Sequence, residues 1–206
     1  MKQNTSRIML IAFIAGLLGG FVGSNFGTFF GSPSEELLVK EYYDAENAVA
    51  VSPHTLRTQM HKIGNEIIII DVRSREDYEQ EHIVGALNIP GFSPDDASAD
   101  AGRERIIESF KALGDGKEII TYCYSGACML SRQVGQILAS EGIFVKHLNI
   151  GWQEWKYFWN LWNSDTEEAG APAAFTHQGP DAGVFKGSAQ DEAGSCVPDE
   201  EGKLSC

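Results

Sequence analysis

The stretch Glu118–Gln136, EIITYCYSGACMLSRQVGQ, constrains the fold more than any other part of the chain. Ile119, Ile120, Thr121 and Tyr122 form a short β-rich run that ends at Cys123. Tyr124, Ser125, Gly126 and Ala127 then make a tight turn. From Cys128 onward the pattern is helical, with Leu130, Val134, Ile137 and Leu138 recurring on one face. A strand thus delivers a cysteine into a loop that opens directly into a helix. Backbone N–H groups at a helix N-terminus lack partners and, with the helix dipole, favour an anion. A thiolate is such an anion, so the Cys123 pKa is expected to fall and its sulfur to act as a nucleophile near neutral pH. Gly126 lets the loop curl without a Cβ in the way. A buried cysteine at a strand end is the plainer account, and this segment alone does not separate the two.

The flanking chain supplies layers for such a strand. Glu66–Asp71 holds four consecutive isoleucines, a β-branched run that suits a strand covered on both faces of a parallel sheet. Ser52-Pro53 is an N-cap and N1 pair before the apolar face of Leu56, Met60 and Ile63. Gly91–Gly102 reads as an acidic loop, and Arg103–Leu113 as a helix closed by Gly114-Asp115-Gly116. Phe144–Leu148 reads as another strand, followed by a last helix carrying Trp152, Trp155, Trp159 and Trp162 packed on the sheet. Alternating strands and helices argue for an α/β sandwich with a parallel sheet.

Taken in order, these segments resemble the rhodanese (sulfurtransferase) family. Asp71-Val72-Arg73, then Tyr78, His82-Ile83-Val84-Gly85-Ala86-Leu87-Asn88-Ile89-Pro90, the Cys123 loop, and Leu148-Asn149-Ile150-Gly151 with Trp152 and Trp155 are similar to its successive elements. The resemblance covers roughly Val49 to Leu161. It implies an α/β, rhodanese-like three-layer sandwich around a central parallel five-stranded sheet. It also implies sulfur transfer: the Cys123 thiolate takes the outer sulfur of a donor, holds it as a persulfide, and passes it to a thiol or other nucleophile. The N–H groups of Tyr124, Ser125, Gly126, Ala127 and Cys128 would bind the anionic sulfur. Asp71 and Arg73 would support the sheet end structurally, as would His82, and no metal or organic cofactor is needed.

Two positions depart from the family pattern. The residue five after the nucleophile, often arginine, is Cys128; the residue directly after it, often cationic, is Tyr124. The loop therefore lacks side-chain charge for a dianion such as thiosulfate, and a small or neutral donor, or a protein persulfide, fits better. Met129 stands where a related phosphatase branch carries arginine, which disfavours phosphate-ester hydrolysis. Cys128 also opens a different reading, a thiol-disulfide protein cycling Cys123 and Cys128. A non-catalytic binding module on the same fold is a third.

The termini differ in character. Residues 1–31 read as a cytoplasmic stub plus a transmembrane anchor, because Ile8–Gly31 contains no charged residue and is long enough to cross a bilayer. No Ala-x-Ala-like cleavage site follows it. Lys2 and Arg7 precede the span and Glu35, Glu36, Glu41 and Asp44 follow it. The N-terminus is therefore expected inside and the domain facing the periplasm or exterior. Gly19, Gly23, Gly27 and Gly31 form a stripe on which two copies could pair, although glycine is common in membrane helices for its own sake. Residues 32–47 read as a juxtamembrane spacer and 48–162 as the domain. Residues 163–206 read as an acidic, mostly disordered tail in which Cys196 and Cys206 form a local disulfide. The net charge of −13 excludes ordinary nucleic-acid binding, and the cysteine spacings do not resemble a zinc site.

Overall fold

The computed structural model describes residues 33–163 and 172–187, together with Phe13 and the short backbone pairs Val197–Pro198 and Leu204–Ser205. The expected anchor and glycine stripe, Phe13 apart, and the Cys196 to Cys206 pairing lie outside the described residues. Among the described residues no helix is long and apolar enough to cross a membrane. The chain divides into two compact units, Met1–Ala45 and Glu46–Cys206. Helix α1 (Glu35–Val49) starts in the first. Its Ser34 hydroxyl accepts the Leu37 N–H, and Glu35 and Glu36 complement the dipole at its first turn.

The second unit is built on a five-stranded parallel sheet. Its strands are β1 (Ala50–Val51), β2 (Ile67–Asp71), β4 (Ala86–Asn88), β5 (Glu118–Tyr122) and β6 (Lys146–Leu148), in the order β1-β6-β5-β2-β4. β2 and β5 pair from Ile67↔Glu118 to Asp71↔Tyr122, which brings Asp71 level with the end of the cysteine strand. Alternate side chains of β2 enter opposite cores. Ile67 and Ile69 pack with Leu56, Met60, Trp155 and Trp159, while Ile68 and Ile70 pack with Ile106, Phe110, Val134 and Leu138. Both faces are covered, so an uninterrupted isoleucine run is the sequence such a strand requires.

The helices around the sheet begin where polar caps allow. α2 (Pro53–Thr58) has Ser52 accepting the Thr55 N–H, with proline at the first turn. α3 (Arg75–Gln80) has Ser74 accepting the Asp77 N–H. α4 runs over Ala99–Lys111, starting four residues before the helix expected at Arg103. Ser98 accepts the Ala101 N–H, and Arg105 ties the incoming loop through Asp96 at 2.8 Å. α5 (Leu130–Ala139) starts later than the expected Cys128, because the Cys128 N–H turns back to the Ser125 carbonyl at 3.0 Å. The expected tryptophan helix is broken in two: α6 (Trp152–Tyr157) stops at Phe158, and a 3-10 turn over Trp159–Leu161 follows.

The segment after Asn163 departs from the expectation of a largely disordered tail. Residues 172–187 lie on the domain as a strap. Pro172–Phe175 forms a 3-10 turn, and β7 (Thr176–His177) pairs antiparallel with β3 (His82–Ile83). Phe175 is 6% exposed and sits among Trp155, Trp159 and Phe185. Its carbonyl accepts the Val84 N–H at 3.1 Å and the Trp155 indole N–H at 3.3 Å. Two separated aromatics and main-chain pairing hold this segment, so it has no periodicity to announce it. Further on, β8 (Val197–Pro198) and β9 (Leu204–Ser205) pair as a small antiparallel ribbon.

Candidate active site

Cys123 leaves the C-terminal end of β5 and enters the core that α4 and α5 cover, where it is 1% exposed. Its sulfur is bonded to that of Cys128, with the two Cα atoms 6.3 Å apart. Cys128 is half-buried against the same core. The loop between them is fixed from outside, chiefly by the first turn of α6. The Trp152 N–H donates to the Cys123 carbonyl and the Gln153 N–H to the Tyr124 carbonyl, both at 2.9 Å. The loop and the α6 start approach backbone to backbone. A Cβ on Gly151 would lie 2.2 Å from the Ser125 nitrogen, and one on Gly126 would lie 2.8 Å from the Asn149 carbonyl oxygen. Side chains are excluded there by contact alone.

The expected cradle of loop N–H groups is partly committed elsewhere. The Gly126 N–H donates to the Glu154 carboxylate, at 3.3 and 3.2 Å to its two oxygens. The Cys128 N–H closes the turn onto Ser125. Arg132 Nη1 donates to the Gly126 carbonyl at 3.2 Å and to the Cys128 carbonyl at 3.4 Å. Tyr124 is exposed, and its hydroxyl donates to Asp77 at 2.7 Å while accepting the Ser74 N–H at 3.3 Å. That bond, with the Ser74 hydroxyl, holds the Asp77 carboxyl below its usual range. Ala127 is exposed at the loop tip.

Beneath the loop lies a buried polar network. Arg73 grips Asp71 through Nε at 3.0 Å and Nη2 at 2.7 Å, and Nη2 also donates to the Glu81 carbonyl at 2.8 Å. Burial alone would lower the Arg73 pKa, but the Asp71 carboxylate and, after it, Tyr122 together outweigh burial and hold it above its ordinary value. The Tyr122 hydroxyl donates to Asp71 at 2.6 Å and accepts the Ile83 N–H at 3.1 Å. Burial, and then the Asp71 charge, push the Tyr122 phenol well above its ordinary range. The Arg73 guanidinium stands 4.8 Å from the Trp152 ring centroid. Trp152 is the residue whose N–H holds the Cys123 carbonyl, so the Asp71–Arg73 pair reaches the loop through α6. His82 is buried, stacked on Tyr78 at 3.7 Å between ring centroids, with Nδ1 at 2.8 Å from the Tyr78 carbonyl. It serves packing.

Reading the sequence missed three groups that touch or support the loop: Glu154, Arg132 and the Tyr122 hydroxyl. Glu154 had a signal, since a Glu three residues into a helix commonly caps its own start, and its carboxylate accepts the Gly151 N–H at 3.0 Å. Its second role, toward Gly126, depends on a partner 28 residues away in the chain. Arg132 looks like an ordinary helix-surface residue until the loop folds back over it.

A parallel five-stranded sheet with a cysteine loop at the end of its middle strand defines a rhodanese-type domain. The profile of the rhodanese-like domain matches residues 52–157, and the chain belongs to that family. It is 33% identical over 92 residues to a thiosulfate sulfurtransferase, GlpE, from Coxiella burnetii, covering 44% of this chain and 73% of the relative. It is 31% identical over 93 residues to an HTH-type transcriptional regulator, Rv0324, from Mycobacterium tuberculosis, covering 45% of this chain but only 36% of that protein's length. Among solved structures, the BH2092 protein from Bacillus halodurans superposes with a TM-score of 0.47 at 27% identity, over 59% of this chain and 80% of that one.

Proposed function

We propose that the domain is a sulfurtransferase working through a Cys123 persulfide, and that Cys128 resolves that persulfide when no external acceptor takes the sulfur. The supporting observation is the pair of sulfurs itself, one at the end of β5 and the other within bonding reach across a loop clamped by α6. The Cys123 thiolate attacks the outer sulfur of a small donor or a protein persulfide. The donor's S–S bond breaks, and its electron pair leaves with the remainder of the donor. An acceptor thiolate then takes the outer sulfur and returns Cys123 as thiolate. Alternatively, the Cys128 thiolate attacks the Cys123 sulfur, hydrosulfide leaves, and the disulfide forms. Reopening it requires two electrons from an external dithiol. The remaining loop N–H groups of Tyr124, Ser125 and Ala127 are the ligands proposed for the persulfide anion.

The disulfide also favours a second reading, a thiol-disulfide carrier in which no sulfane sulfur passes. Intact-mass measurement on reduced protein given a persulfide donor separates the two. One added sulfur on Cys123 supports transfer. Formation of the disulfide without any intermediate of added sulfur, at a rate independent of sulfane donors, overturns it. The proposal extends to location: residues 8–31 hold the chain in a membrane with the N-terminus cytoplasmic and the domain outside. Protease added to spheroplasts, with the inner membrane intact, digests the domain if this topology holds and spares it if the topology is reversed.

A further inference from the structure

Glu154 takes up the Gly126 N–H, one of the loop donors expected for a sulfur anion. Its carboxylate accepts the Gly126 N–H with both oxygens and the Gly151 N–H with one, so it bridges the loop and the start of α6. The side chain is half-buried, which limits screening by solvent. Arg132 donates to the Gly126 carbonyl, in the following peptide unit, and to the Cys128 carbonyl, so it is directed at two main-chain oxygens rather than at the Gly126 N–H. No cation offsets Glu154 within the loop itself, where Tyr124 and Cys128 are uncharged residues.

From this arrangement we infer that Glu154 sets donor specificity by charge, selecting monoanionic or neutral sulfur donors over dianions. The inference rests on the sulfurtransferase reading. Coulomb energy is linear in the charge of the ligand. A fixed negative charge beside the loop therefore penalises a dianion twice as much, in free energy, as a monoanion bound in the same place.

Thiosulfate and methanethiosulfonate test this, because both deliver a terminal sulfane sulfur and differ by one unit of charge. In each case Cys123 takes that sulfur, and sulfite or methanesulfinate leaves with the electron pair. Cyanide then removes the sulfur as thiocyanate and restores the thiolate. The full chain in detergent, reduced beforehand, is compared with Glu154→Gln, whose amide oxygen still accepts the two N–H bonds. If the variant gains about threefold in kcat/KM for methanethiosulfonate, it should gain about ninefold for thiosulfate, so that the ratio between donors moves about threefold. Rising salt should move the wild-type ratio the same way and the variant's less. Because the net charge of −13 also responds to salt, the readout is the difference between the wild-type and variant salt slopes, and Glu154→Ala provides it should Glu154→Gln not fold. A ratio that stays constant in both experiments, with or without a common fall in rate, means Glu154 only shapes the loop. Absence of thiocyanate from both donors in wild type overturns the transferase reading, and this inference with it.

Discussion

The Tyr122 hydroxyl lies between the Asp71 carboxylate and the Ile83 N–H, in a site closed to water. Tyr122→Phe removes it while keeping the ring, leaving a buried carboxylate short of a donor. The expected loss is about 1–3 kcal/mol, read as a lower urea midpoint at unchanged slope. A midpoint equal to wild type would mean that Asp71 is satisfied by Arg73 alone. At the loop, Cys123→Ser should abolish persulfide formation, since a hydroxyl without an adjacent base is a far poorer nucleophile. Cys128→Ser should still form the persulfide and hold it longer, because the thiol that displaces hydrosulfide is gone. Intact mass after donor addition reads both; equal loss of the added sulfur in the two variants would favour the dithiol mechanism. Cys123 was legible in the sequence because its position follows from a local strand-to-helix change. Glu154 and Tyr122 were not, because what they do depends on Gly126 and on Asp71, which only the folded sheet brings near.

Legibility at the level of elements followed how each one is held. β2 was readable because burial on both faces demands four isoleucines in a row, and α2 because Ser52-Pro53 is a local start signal. The first turn of α4 was hidden, since Gly102 and Asp100 look like loop residues until Ser98 and the Asp96–Arg105 pair fix them. The strap over 172–187 was hidden more completely. Its anchors, Phe175 and Phe185, sit among Gly, Ala and Asp, and its hydrogen bonds are mostly main-chain, as between Gly179 N–H and the Glu79 carbonyl. The strap is nonetheless part of the core, packed on the tryptophans of α6 and the following turn. Phe175→Ala should cost about 3–5 kcal/mol, as for other large aromatic truncations. Deleting residues 170–206 should cost at least as much, with any loss of activity following loss of folded protein. Unchanged urea midpoints in both variants would show the strap to be dispensable to the fold.

Over the whole molecule, two electrostatic effects respond to acid with opposite signs. The net charge of −13 makes the folded chain repel itself, and protonating carboxylates relieves that repulsion. Against this stand groups whose folded environment opposes protonation. His82 is held below the ordinary imidazole value of 6.5 by burial, against the opposing pull of the Tyr78 carbonyl and Asp71, with His177 adding to the depression. His147 is lowered by burial and then by Arg132, with Glu46 opposing. For both, the unfolded chain binds the proton more readily, so their stabilisation is complete above 6.5 and is lost as pH falls below it. Asp77 is depressed by its bonds to Tyr124 and Ser74, so its contribution is complete above 3.8 and is lost further into acid. The repulsion acts between exposed charges and is largely screened at about 0.15 M salt, where the Debye length is roughly 8 Å; the buried His82 and the half-buried His147 are screened less. The local groups should therefore win. Urea midpoints at moderate salt should fall between pH 7.5 and 5.0, and His82→Gln, which cannot take up a proton, should show a shallower fall than wild type. At low salt the wild-type fall should shrink as relief of repulsion offsets it. A midpoint that rises on acidification at moderate salt, or an equal slope in His82→Gln, would mean that surface repulsion rather than the buried imidazole governs the response.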